Sequence, residues 1–281
     1  MSIDLHTHSW FSDGTQSPTE LVDLARRSGV SALSITDHDT MDGVAEALAA
    51  GVEHGVEVVP GLEVSVMHKK MALHILGYYM DPDNQTLNAA LAVLQEARDG
   101  RNEEIIGRLK KFGIAATVQE LKEISGHGQT GRPHIAKLLM NHGMVRSIPQ
   151  AFDDYLRKGA KAYVPRFAYS AEKAIALIGD AGGIAVLAHP IQVDRSLSLL
   201  GSLLPVLKGY GLVGIETFYP TQSKKMRKRI RKFAEENDLL LTGGSDYHGE
   251  IRPGTRLAGG NNVFVPPELL EKMKTWLGEN S

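Results

Sequence analysis

The sequence predicts an α/β fold built on a parallel sheet, left open or closed into a barrel, and three observations predict it. Seven short β-branched or apolar runs recur: Ile3 to Leu5, Ala32 to Thr36, Val56 to Pro60, Ala72 to Tyr79, Ile184 to Ala188, Val213 to Phe218 and Leu239 to Thr242. Helical patterns fill the gaps between them, and that alternation packs helices over parallel strands. Histidines and carboxylates gather at the ends of these runs, where parallel α/β folds place their ligand sites.

The first helix is well signalled. Ser17 caps it, Pro18 takes its first position, Glu20 lies in its first turn and Gly29 follows its end. From about Leu87 to Gly159 the strand signals stop, and the chain turns helical and basic, with Arg98, Arg101, Arg108, Arg132 and Arg157 among its residues. We read 87–159 as a helical insertion covering the site, and 1–86 with 160–281 as a barrel discontinuous in sequence. No internal repeat or low-complexity segment is present.

With 281 residues, 42% hydrophobic and 23% charged, the chain has the material for a full-sized core, which excludes disordered and fibrous classes. A net charge of -2 leaves the partner open, because a local basic patch can still steer a phosphorylated ligand. The absence of cysteine removes disulfides, thiolate metal sites and cysteine nucleophiles, so His, Asp and Glu are the strong metal ligands that remain. The N-terminus lacks a leader pattern and no stretch is long and apolar enough to span a membrane, so a cytoplasmic, unprocessed protein is expected.

His6-Thr7-His8 ends the first strand, and residues two apart on a strand face one side, so both imidazoles can reach one metal. Ser245-Asp246-Tyr247-His248 mirrors this pair after Leu239 to Thr242. Between them come Asp37-His38-Asp39, Glu63 after Val56 to Pro60, His74 inside an apolar strand, and His189-Pro190. A buried His74 is costly without a partner. Any one histidine is more often a hydrogen-bonded core or surface residue than a ligand. Six of the eleven, however, sit in or just after strands beside Asp13, Glu63 and Asp246. His54, His68, His127 and His142 are read as packing or solvent residues. No serine has an elbow motif or a dedicated base, and Gly182-Gly183 and Gly259-Gly260 are turns rather than phosphate loops.

At these residues the chain resembles the polymerase and histidinol phosphatase (PHP) superfamily. The order His6-Thr7-His8, Ser12-Asp13-Gly14, Thr36-Asp37-His38-Asp39, Gly61-Leu62-Glu63, His74, His189-Pro190 and Ser245-Asp246-Tyr247-His248 is that of the family, over nearly the full length. The resemblance implies a distorted seven-stranded (β/α)7 barrel with two to three divalent metals, manganese foremost, with iron or zinc as alternatives. It implies that His6, His8, Glu63 and Asp246 hold the first metal, Glu63, His74 and His189 the second, and Asp13, His38 and His248 the third. Glu63 would be the catalytic bridge, and His189 or His248 is a candidate to protonate the leaving oxygen. Asp37 and Asp39 are read as supports, with Asp37 either orienting a ligand or capping a helix.

Thr130-Gly131-Arg132-Pro133-His134 and Arg157-Lys158-Gly159 resemble a bacterial subgroup of 3',5'-nucleoside bisphosphate phosphatases and enzymes that trim short RNA from its 5' end. In that reading Gly131 lets the backbone turn and Pro133 starts a helix. Arg132, His134 and Lys158 then grip a second phosphate, and the partner is a small phosphorylated nucleotide or short oligonucleotide. The competing readings are a histidinol phosphatase and a metal-binding accessory protein without turnover. Oligomeric state is not encoded in any pattern found.

Overall fold

The computed structural model describes every residue except His127, Pro253, Gly260, Asn261, Asn262 and Ser281. The expectations for His127 and Gly260 therefore fall outside the described residues. Eight strands form one sheet: β1 (Ser2–Thr7), β2 (Val30–Ile35), β3 (Glu57–His68), β4 (Met71–Tyr78), β5 (Tyr169–Ser170), β6 (Ile184–Leu187), β7 (Gly214–Phe218) and β8 (Leu240–Gly243). The first half of the chain adds helices α1 (Pro18–Arg27), α2 (Val44–His54), α3 (Gln85–Lys111), α4 (Val118–Ser125), α5 (Arg132–Asn141) and α6 (Ile148–Ala151). The rest are α7 (Ala171–Asp180), α8 (Pro190–Val193), α9 (Leu200–Gly209), α10 (Lys224–Glu236) and α11 (Glu268–Asn280).

Each of the seven apolar runs is a strand, and they lie in the order β1-β2-β3-β4-β6-β7-β8, with the two-residue β5 on β3. The sheet is mixed, not all-parallel as expected: β4 runs antiparallel to both β3 and β6. The reason is local. Only two residues, Lys69 and Lys70, separate β3 from β4, and a parallel crossover needs a dozen or more. Glu63 consequently lies inside the long β3 and not beyond its end, with Leu76 of β4 as its cross-strand partner.

The two edges meet just beyond the strands, where the amide of Asp246 donates to His6 O (2.8 Å) and that of His8 to Tyr247 O (2.9 Å). A Cβ at Gly244 would stand 2.3 Å from the Cβ of His6, so only glycine lets the segment after β8 approach β1 this closely. Helix α1 follows its sequence signal: Ser17 Oγ accepts from Glu20 N at 3.0 Å and the Glu20 carboxylate accepts from Ser17 N at 2.8 Å.

Leu87, Leu91 and Leu94 at the start of α3 pack into the core beneath β3 and β4. Residues between Ile105 and Val164 form a separate apolar cluster of their own. Helix α3 contributes to both clusters and so joins the second one to the sheet. Among the described residues, no helix is long and apolar enough to cross a membrane.

Candidate metal centre

The sheet gathers nine predicted ligands at one end, with Glu63 as their hub. Its Oε1 lies 2.8 Å from His74 Nδ1 and 2.9 Å from His189 Nε2. Its Oε2 lies 3.1 Å from His38 Nδ1, 3.3 Å from His8 Nε2 and 3.5 Å from His6 Nε2. Asp246 Oδ1 stands 3.5 Å from His6 Nε2 and 3.4 Å from His8 Nε2. Ligands about 2.1 Å from a tetrahedral metal are themselves about 3.4 Å apart, so these spacings around His6, His8, Glu63 and Asp246 fit one ion. Asp13 Oδ1 faces His248 Nε2 at 3.3 Å and His38 Nε2 at 3.9 Å, on the other side of His8.

The donor chemistry also fits cations. Among the described residues, His6 Nε2, His8 Nε2, His38 Nδ1, His248 Nε2 and Asp13 Oδ1 are buried and have no hydrogen-bond partner. Each such orphan costs about 1–3 kcal/mol unless something coordinates it. Two tautomers are fixed from behind. A carboxylate or carbonyl oxygen can only accept, so His6 Nδ1 donates to Glu216 Oε1 (2.9 Å) and His248 Nδ1 to the Asp246 carbonyl (2.9 Å), leaving each Nε2 lone pair aimed at the cluster.

Electrostatics points the same way. Burial alone would raise Glu63, but the imidazoles of His74, His38 and His6 hold its carboxyl well below the usual range. Asp13 is held low against the same burial by His248 and His38. Burial opposes charge on His8, yet Asp246 and Glu63 push it up to about 9. Burial wins at His38, which falls to about 3. The carboxylates thus draw positive charge to where His6 and His8 face Asp246.

Supporting residues complete the frame, several of them without a sequence signal. Glu216, fully buried in β7, also accepts from His189 N at 2.6 Å, so it braces two predicted ligands at once. Tyr219 and Arg252 donate to Asp246 Oδ2 at 2.7 and 2.5 Å. Asp37 accepts from Ser9 N (2.8 Å) and from the hydroxyls of Ser9 and Ser12 (2.5 Å each). It therefore anchors the loop that carries Asp13 rather than capping a helix. Asp39 pairs with Arg98 and accepts from Ser65 N at 3.1 Å. His189, Asp246 and Asp39 have φ of +24°, +52° and +56°, and such strain in non-glycine residues concentrates at functional sites.

A cavity of about 140 Å³ opens beside His38, His74 and Asp13, and its far wall is Arg98, Arg101, Arg132 and Arg166 with Phe152. Among the described residues, Arg98 is the one member of this quartet with a carboxylate partner. Burial, then repulsion from Arg98, Arg132 and Arg166, pushes Arg101 down to about 9. Burial pushes Arg166 down to about 10. Arg166 and the pairing of Arg98 carried no recognisable sequence signal. Arg132 reaches this cavity, its guanidinium 5.7 Å from the Phe152 ring centre. His134 is elsewhere employed: its Nδ1 accepts from Gly131 N at 3.0 Å and caps α5. Lys158 is exposed and does not line the cavity. Gly131 is in ordinary extended backbone, φ -138°, so the turn before α5 does not depend on it. Of the remaining histidines, His142 lies 3.2 Å from Glu120 and His68 packs near Tyr210.

Burial lowers the pKa of His134 below its usual 6.5. The unfolded chain then takes up this proton near pH 6.5 while the folded chain resists it, so stability is lost as pH falls below about 6.5. His134→Gln keeps an acceptor at the third helical position without a titrating group. Its Tm should fall less steeply than that of wild type between pH 7 and 5; parallel slopes would refute this role.

A cage of imidazoles and carboxylates on one end of an α/β sheet, walled by arginines, defines a metal-dependent hydrolase class acting on anionic esters. The chain belongs to the PHP family: the PHP domain model matches residues 4–189. It is 36% identical over 87% of its length to a 5'-3' exoribonuclease of Haemophilus influenzae, covering 89% of that protein. It is 34% identical over 95% of its length to a 3',5'-nucleoside bisphosphate phosphatase of Chromobacterium violaceum, covering 93% of it. A solved Bifidobacterium adolescentis structure assigned to the metal-dependent phosphoesterases superposes with TM-score 0.87 at 32% identity, covering 97% of this chain and 95% of that one.

Proposed function

We propose that this enzyme, a metal-dependent phosphoesterase, removes the 3'-phosphate of nucleoside 3',5'-bisphosphates or the 5'-terminal nucleotide of short RNA, in the cytoplasm. The observation that carries the substrate reading is the arginine-walled cavity next to the cluster. Among the described residues, Arg101, Arg132 and Arg166 have no carboxylate of their own, so a second, non-reacting phosphate is the counter-ion they fit. In this reading, residues 87–159 form the unit that carries most of that wall.

His6, His8, Glu63 and Asp246 would hold one divalent ion, Glu63, His74 and His189 a second, and Asp13, His38 and His248 a third, with manganese the first choice and iron or zinc next. Such ions supply charge neutralisation at phosphorus and a water acidic enough to attack it near neutral pH. The protein's part is orientation. Glu216 fixes the rings of His6 and the backbone of His189, and Tyr219 with Arg252 fixes Asp246. His248 spends its Nδ1 proton on the Asp246 carbonyl, whereas His189 Nδ1 has no partner.

The test compares phosphate release from adenosine 3',5'-bisphosphate, histidinol phosphate and a 5'-phosphorylated short RNA, with manganese-loaded wild type and Arg132→Ala. Loss of a charge-assisted contact of about 1.5–3 kcal/mol should lower kcat/KM for the bisphosphate roughly 10- to 150-fold. Preference for histidinol phosphate, indifferent to Arg132→Ala, would overturn the nucleotide reading in favour of histidinol phosphatase.

A further inference from the structure

Helix α10 carries seven Lys and Arg side chains in thirteen residues, the sequence KKMRKRIRKFAEE. Its inward face is apolar. Ile230 and Ala234 are buried, Met226 and Phe233 pack against the same core, and the spacing leaves the cations on the outer face. Among the described residues, Lys232 alone of the seven has a carboxylate partner, Glu236 at 3.6 Å. This unneutralised stripe sits on a chain whose overall charge is only -2, so it is a local feature of this one surface.

Its position ties it to the metal centre. A groove of about 900 Å³ runs along α10 and is walled at one end by Phe218, the last residue of β7. The next residue, Tyr219, donates to Asp246 Oδ2, and its ring centre is 5.9 Å from that of His189. Arg227 lies over Phe218, 5.9 Å from the ring centre, with its Nε buried and without a hydrogen-bond partner. A guanidinium stacked on an aromatic ring at the head of a run of exposed cations is the chemistry that follows the backbone of a single-stranded nucleic acid. Helix α10 is about 20 Å long, the reach of a few nucleotides.

We infer that α10 is the docking surface for the phosphate backbone of a single-stranded RNA whose 5' end occupies the metal centre. The inference rests on the nucleotide reading above and extends it: the arginine cavity serves the terminal nucleotide, and α10 holds the chain that follows. Among the described residues, none that lines the arginine cavity lies on α10, so a mononucleotide seated there does not depend on it.

Lys224→Glu, Lys228→Glu and Arg231→Glu combined reverse the outer face without altering Ile230, Ala234 or Phe218. Fluorescence anisotropy of a labelled ten-nucleotide phosphorothioate RNA, which resists cleavage, reads binding to the metal-loaded protein. Wild type should bind with a salt slope near -2, since each neutralised phosphate of a single strand adds about 0.7. The triple variant should bind at least tenfold more weakly with a distinctly shallower slope, because only the four cations left on α10 and the arginine cavity still meet phosphate, while its hydrolysis of adenosine 3',5'-bisphosphate stays within twofold of wild type. Equal RNA affinity in the two proteins would overturn the inference. So would a wild type that ignores RNA and binds phosphatidylserine vesicles through these lysines. Failure of both proteins on the bisphosphate would remove the nucleotide reading, and the anisotropy comparison would still decide whether α10 holds RNA.

Discussion

Glu63→Gln is expected to lower phosphoester hydrolysis roughly 10³-fold or more, because several kcal/mol of charge stabilisation at phosphorus depend on ions this carboxylate would hold. No other side chain in the cluster is so placed: five imidazoles converge on its two oxygens at 2.8 to 3.5 Å. Glutamine keeps the volume and can accept from one imidazole, but it presents an NH₂ where the second oxygen faced His nitrogens. It also removes the negative charge that offsets whatever cation binds there. The variant should therefore purify folded, by circular dichroism, with less metal by elemental analysis, and with kcat more affected than KM. Hydrolysis within tenfold of wild type would show that Glu63 is not the hub of the reaction.

Stripping divalent metal with a chelator should abolish hydrolysis and lower Tm by about 10 °C, with both restored by manganese. A ligand present at 1,000 times its Kd stabilises a protein by about 4 kcal/mol, and each kcal/mol is worth about 2–4 °C in a chain of this size. The structural reason is the number of groups that only a cation can satisfy. His6 Nε2, His8 Nε2, His248 Nε2 and Asp13 Oδ1 are all buried and unpaired, and they lie on segments from both ends of the chain. An ion held among them therefore links β1 to the segment after β8, where two backbone bonds, from Asp246 N and His8 N, already join the edges. Undiminished Tm and undiminished turnover after chelation would contradict the metal reading altogether.

Much of this was legible in one dimension because the signals are local. Strand runs are short and β-branched, and the capping pattern at Ser17 and Glu20 is complete within four residues. A His-x-His pair on a strand faces one way by backbone geometry. Even Glu216 had a local clue, as a carboxylate inside the apolar run Val213 to Phe218, where burial without a partner is expensive. The basic run of α10 is equally plain in the sequence, but whole-chain charge averages it away. Arg166 and Arg252 offered nothing comparable. An isolated arginine in a loop is usually solvated, and only the fold reveals which carboxylate or cavity it faces.

By itself, then, the sequence determined the seven main strands and the capped first helix, and placed most of the histidines and carboxylates at or near strand ends, since both follow from periodicity and residue chemistry over a few positions. Tertiary structure alone decided that β4 reverses direction, that Glu63 becomes the shared centre of five imidazoles, that His134 turns back to cap α5 while Arg132 faces the cavity, and that Lys158 faces solvent. Those outcomes depend on which distant segments pack together, and long-range packing is set by burying apolar surface and pairing buried charge across the whole chain, which no local window contains.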